Sequence, residues 1–287
     1  MLLKRFFPIH FISFYSIHHK YYLLHEVIKN DKIIDSSKEE FEDKSKLKKY
    51  IKNIINDYPQ TYVSTILLNI DQGVVNSCSK QVYKEKNIEI NNIKIVCINN
   101  KYSFYTSIYE LSELKKEFEI IDFIYPIFAV IDFLAKDKNN SLYILNIDNF
   151  FATIVYKDNI ALYSEIFNEE TEVEDISDMD IDEFDEFDDD LGELDEIEDI
   201  ENIDEVEEEK EDISHLDTEN KIFTHIKESI KNYYNEGGDF LEKIYIISTK
   251  EINNSILNLI EDELFMKSEI INIDLLETIN DISKKNV

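Results

Sequence analysis

The sequence predicts an α/β protein with mixed sheets, interrupted by an acidic low-complexity insertion. Three observations predict it. Strand-like and helix-like stretches alternate in both halves of the chain. Residues 141–166 form a β-branched and aromatic run that reads as two or three antiparallel strands, with turn signals at Asp148-Asn149 and Lys157-Asp158-Asn159. Residues 169–212 hold 27 Asp and Glu against one basic residue, Lys210.

With 287 residues, 43% of them hydrophobic, the chain can bury a large core and form one or two domains. Only four Gly occur, which nearly excludes Gly-rich phosphate loops by count alone. Most of the net charge of −32 sits in the acidic stretch, so the remainder is mildly acidic. Nucleic-acid binding by a basic face is therefore disfavoured. Cys78 and Cys97 lack C-x-x-C spacing, and reduced thiols in a cytoplasmic protein are expected. Residues 1–7 carry Lys4 and Arg5, and His10, Ser13, Ser16, His18 and His19 then interrupt the apolar run, a poor match to a signal peptide. The most apolar stretch, 120–135, is broken by Asp122 and Asp132 and is too short to span a bilayer.

Taken in order, residues 10–34 read as three meandering strands, with a turn at Asn30-Asp31-Lys32. Leu47, Ile51, Ile54 and Ile55 have helical spacing over 45–58, and Pro59 stops that helix. Residues 62–69 are a buried strand, 73–90 an irregular surface excursion, and 93–98 a strand. A helix at 107–118, a strand at 120–124 and a helix at 125–135 with Pro126 in its first turn follow. Beyond the acidic stretch, Ile222, Phe223, Ile226, Ile230 and Tyr233 mark a helix over 220–234. A strand at 243–248, a helix at 255–265 and a last strand at 269–273 complete the pattern.

This order of elements resembles the actin-like ATPase superfamily. More narrowly, it resembles the cytoplasmic assembly proteins of type IV pili and type II secretion, the PilM and GspL group. Residues 120–135 look like the strand and helix leading to that family's second half, 142–166 like its opening hairpin, and 226–273 like its closing helix, strand, helix and strand. The resemblance implies an actin-like (ribonuclease H-like) two-lobed fold. It places a first lobe at 1–138, a second at 139–168 and 216–287, and the insertion at 169–215.

The superfamily's second phosphate motif, Asp-x-Gly-x-x-Thr, aligns with Asp148 to Thr153, and Phe150 stands where the Gly belongs. That Gly exists because phosphate oxygens must approach bare backbone. The first phosphate motif is expected near 11–16, where no Asp or Gly occurs. The adenosine Gly-Gly pair is expected after Ile247, where the chain has Ser248-Thr249-Lys250. Asp148, Phe150 and Thr153 are thus the remnants of a nucleotide site, and no cofactor is expected. A turn Asp and a strand Thr are the plain structural reading of Asp148 and Thr153.

Asp178, Asp180 and Asp182 have the spacing of a calcium loop, but Glu183 stands where the sharp turn needs Gly, so no metal is expected. Phe184, Phe187, Leu191 and Leu194 recur every three or four residues among the acids. They define either a solvated linker or an acidic amphipathic helix that docks on a basic partner. The histidines lack ligands at zinc spacing, and no Gly-x-Ser-x-Gly elbow or Cys beside a His offers a nucleophile.

By resemblance, the expected function is a non-enzymatic cytoplasmic scaffold, peripheral to the inner membrane. It would bind the short cytoplasmic segment of a single-span inner-membrane protein and couple it to a motor or assembly ATPase. The host machine would be a pilus, a type II secretion or DNA-uptake apparatus, or a flagellar motor. A divergent actin-like ATPase or kinase, and an acidic adaptor acting through 169–215, are the alternatives. Homo-oligomerisation is left open.

Overall fold

The computed structural model describes residues 7–168 and 203–287. The same arrangement of five strands occurs twice. In the first sheet β1 (Ile9–Ile17), β2 (Lys20–Lys29) and β3 (Lys32–Phe41) form an antiparallel meander. After α1 (Lys44–Asp57), β4 (Thr61–Leu67) pairs parallel to β1, and β8 (Phe123–Pro126) adds parallel to β4. The order is β3-β2-β1-β4-β8. In the second sheet β9 (Ser141–Ile147), β10 (Phe150–Lys157) and β11 (Ile160–Asn168) repeat the meander. After α5 (Ile203–Asn235), β12 (Lys243–Ser248) pairs parallel to β9, and β13 (Lys267–Asn272) follows α6 (Ser255–Leu264). Its order, β11-β10-β9-β12-β13, is the first one over again.

Local chemistry explains the tight turns. Two-residue hairpins that match strand twist need positive φ, which Asn and Asp tolerate best. Asn30-Asp31 and Asp158-Asn159 supply it, with φ between 52° and 61°. His18 and His19 take the same conformation at the β1–β2 turn (φ 49° and 61°). The helices are capped from their own sequences. Asp43 accepts the Ser45 N–H at the start of α1, and Asp274 accepts the Glu277 N–H at the start of α7 (Leu275–Asn286).

Two helices tie the halves together. Ile127, Phe128, Val130 and Ile131 of α4 (Ile127–Leu134) are fully buried in one core. That core also holds Leu145, Phe150, Ile154 and Tyr156 of the second sheet and Ile279 and Ile282 of α7. Burying such side chains stabilises by about 1.5–3 kcal/mol each. From the second half, α7 reaches back to the first sheet. Ser13 Oγ donates to the Leu276 carbonyl at 2.8 Å, and the Tyr125 and Ser283 hydroxyls lie 3.2 Å apart. Two further cores flank this one. The first packs Ile12, Phe14, Leu23 and Val63 under α1, and the other packs Leu142, Ile144, Phe151 and Ile246 under α5 and α6.

A small antiparallel sheet is inserted between β4 and β8, in the order β5-β7-β6. It comprises β5 (Gln72–Val75), β6 (Ile93–Ile98) and β7 (Tyr102–Ser107), with the short α2 (Lys80–Glu85), and it leads into α3 (Ile108–Glu117). The stretch expected to be irregular therefore contains β5 and α2. Gly73 pairs with Tyr105, and a Cβ there would lie 2.5 Å from the Tyr105 hydroxyl, so any larger residue would push the Tyr105 ring aside. The buried Gln72 side chain donates to the Leu67 and Asn69 carbonyls and accepts the Ile127 N–H at 2.8 Å, fixing the insert to the start of α4. Tyr102 and Tyr156 both donate to Asp132 Oδ1, at 2.6 and 2.7 Å, which joins the insert to the second sheet. Contrary to the expected free thiols, Cys78 and Cys97 form a disulfide within this insert, with Cα atoms 5.5 Å apart. Topology brings together what sequence spacing alone leaves apart.

Among the described residues, no helix is long and apolar enough to cross a membrane.

Candidate functional site

The duplicated meanders put two equivalent hairpin turns face to face. One is His18-His19 between β1 and β2, and the other is Asp148-Asn149 between β9 and β10. Between them lies a cleft of about 240 Å³, lined by Ser16, His18, His19, Asn149, Phe150 and Asn168 among others. Small-molecule sites usually run from roughly 300 to 1,000 Å³, so this cleft is narrow. Residues 11–16, where a first phosphate motif was expected, lie inside β1, and the turn itself carries two histidines.

Alternation along β10 sends its side chains to opposite faces. Phe150, Ala152 and Ile154 face the core between the halves, whereas Phe151 and Val155 face α5 and α6. Thr153 shares the parity of Phe151, so it lies on the face away from the cleft. It is fully buried, and its Oγ1 has no protein partner. Phe150 is 4% exposed, so its ring is part of the core at the inner side of the turn. Asp148 sits at the tip, with φ 53°. Its carboxylate pairs with the Lys250 ammonium, which comes from the loop after β12. The three residues singled out from the sequence are therefore near in chain but not convergent.

The pairing of Lys250 with Asp148 escaped sequence reading because it spans about a hundred residues. A Lys directly after a strand that abuts β9 was the available signal. Its loop is held by the Lys250 N–H donating to Ser248 Oγ at 3.1 Å and the Thr249 N–H reaching the Asn146 carbonyl at 3.4 Å. On the far side of the β1–β2 hairpin, Tyr15 and Tyr22 stack at 5.2 Å over a second cleft of about 280 Å³ that includes Thr249 and Asp274. Burial pushes the Tyr15 phenol well above its usual range, with Tyr22, Asp148 and Asp274 adding to the effect. Tyr15 stays neutral and acts as a packing group.

These residues do not fit a magnesium nucleotide. A phosphate cradle needs bare backbone N–H groups on both turns. Here Phe150 stands at one turn and lines the cleft, His18 and His19 occupy the other, and Asp148 is paired with the Lys250 ammonium. Phe184, Phe187, Leu191 and Leu194, named as partner-binding candidates, and the Asp178, Asp180 and Asp182 loop lie outside the described residues. Among the described residues no cluster of His, Cys, Asp and Glu is placed to hold a metal ion.

Fold and cleft together define an actin-like two-lobed α/β protein. The chain belongs to the family described as domain of unknown function DUF8341, whose model matches residues 142–287, just over half of it. A second model, domain of unknown function DUF8569, matches residues 7–132. The fold is that of a Bacteroides thetaiotaomicron protein with an actin-like ATPase fold, 8% identical, with 95% of each chain covered and a TM-score of 0.50. Weaker likenesses include the cytoplasmic domain of EpsL, an inner-membrane component of the type II secretion system of Vibrio cholerae (6% identity, 97% and 95% covered, TM-score 0.44). Another is the PilM–PilN type IV pilus biogenesis complex (11% identity, 96% and 94% covered, TM-score 0.48). No curated protein matches the chain.

Proposed function

We propose that this protein is a non-enzymatic scaffold that uses an actin-like frame to bind another protein instead of a nucleotide. The observation that carries the reading is Phe150. It replaces the glycine of the second phosphate turn, and its ring is packed into the core between the halves. The Lys250–Asp148 pair supports it, because the carboxylate that the resemblance places in the second phosphate motif is paired with an ammonium of the same chain. The partner class follows from the resemblance to the pilus and secretion assembly proteins: a single-span inner-membrane protein with a short cytoplasmic segment. The scaffold would act at the cytoplasmic face of the membrane, through that partner.

The test is affinity purification of the full chain from detergent-solubilised cells, with identification of what co-purifies. Recovery of a single-span inner-membrane protein with its neighbours is the expected result. Recovery of soluble proteins alone would overturn the partner class.

A further inference from the structure

The inserted three-stranded sheet holds both cysteines of the chain, and the structure treats them differently. Cys97 lies on β6, one of the two outer strands of that sheet, and is exposed. Cys78 lies in the loop between β5 and α2 and is half-buried, with its Sγ 3.3 Å from the Tyr102 carbonyl oxygen. We propose that the Cys78–Cys97 disulfide is a thiol–disulfide exchange site, with Cys97 the sulfur attacked and Cys78 the sulfur that leaves. The co-reactant is a cellular thiol, either glutathione or a protein dithiol. This inference stands independently of the scaffold reading.

The chemistry balances on the groups present. An incoming thiolate attacks Cys97 Sγ, the accessible end, and forms a mixed disulfide as the Cys78–Cys97 bond breaks. Cys78 departs as a thiolate and takes a proton from water. The resulting S–H has an acceptor already in place, the Tyr102 carbonyl. A second thiol from the co-reactant then resolves the mixed disulfide and leaves Cys97 as a thiol, the co-reactant being oxidised by two electrons. No third cysteine exists to capture either sulfur.

The surrounding bonds confine the consequence to one region. The Cys78 loop is also held by Ser103 Oγ donating to the Ser77 carbonyl, and by the Tyr83 and Ser103 hydroxyls, 2.7 Å apart. Tyr83 is fully buried beneath them. These contacts keep the loop seated after the bond opens. What is released is β6, whose only ladder partner is β7. Exchange therefore loosens an exposed sheet edge and leaves the two large sheets intact.

The experiment uses the full chain. Air-oxidised protein is alkylated before and after dithiothreitol, and amide exchange is followed in both states. The Cys78→Ser and Cys97→Ser variants are incubated separately with glutathione disulfide. The expected results are no alkylation before reduction, and loss of exchange protection in β6 only, regained on reoxidation. Glutathione is expected to load Cys97 in the Cys78→Ser variant and to leave Cys78 unmodified in the other. Alkylation before reduction, equal loading of the two variants, unchanged exchange on reduction, or loss of protection throughout the chain would each overturn the proposal.

Discussion

Glu26 on β2 and Lys284 on α7 form an ion pair 2.9 Å long, with the Glu26 side chain only 5% exposed. Asn280 donates to the same carboxylate at 2.8 Å. The pair fastens the last helix of the chain to the first sheet. A buried charge that loses its partner is costlier than the pair is stabilising. Lys284→Ala should therefore destabilise by about 1–3 kcal/mol, the range for orphaning a hydrogen-bonded polar group. Urea denaturation of the variant checks this. An unchanged midpoint would show that Glu26 is neutralised in some other way.

Phe150 should behave as a core residue. Phe→Ala in a packed core costs about 3–5 kcal/mol through lost transfer energy and the cavity left behind. Phe150→Ala should fall in that range, and Phe150→Leu should lose less. The same denaturation measurement decides it. A loss below about 1 kcal/mol, which is typical of surface changes, would mean that the ring is not packed as described.

Acid should weaken the first lobe. His10 Nδ1 and His25 Nε2 lie 2.9 Å apart, and Tyr58 stacks on His10 at 4.0 Å. Burial lowers the pKa of both histidines. His25 lowers that of His10 further, while Asp35 opposes both shifts. The native state thus favours neutral imidazoles, and the unfolded chain binds more protons below its own value near 6.5. The contribution is fully present above about pH 6.5 and is lost as pH falls through and below that value. Denaturation midpoints from pH 7.5 to 5 should decline, and His10→Gln should flatten the decline. A variant with the wild-type slope would contradict the assignment.

Much of the frame was legible because its signals are local. Residues 243–248 read as a strand and are one, and the β-branched and aromatic run at 141–166 gives β9, β10 and β11. The helix bounds at 45–58 and 255–265 lie within one residue of α1 and α6. The inserted sheet was legible only at β6, because β5 is four residues long and gains its stability from Tyr105 and Gln72 contacts made elsewhere. Helix α7 was missed, although Asp274 is a cap residue, accepting the Glu277 N–H, directly before Leu275, Leu276, Ile279 and Ile282. The upstream reach of α5 to Ile203 was hidden by acids that suit a linker as well as a helix. At the cleft, Phe150 was visible as a missing glycine. The Lys250–Asp148 pair was not visible, since only the β9–β12 register brings those loops together.

The most direct test of the account is a calorimetric titration of Mg-ATP into the full chain. Phe150, the two turn histidines and the Lys250–Asp148 pair predict no saturable heat. A one-to-one, magnesium-dependent binding isotherm would contradict the scaffold reading and place the protein among working actin-like ATPases.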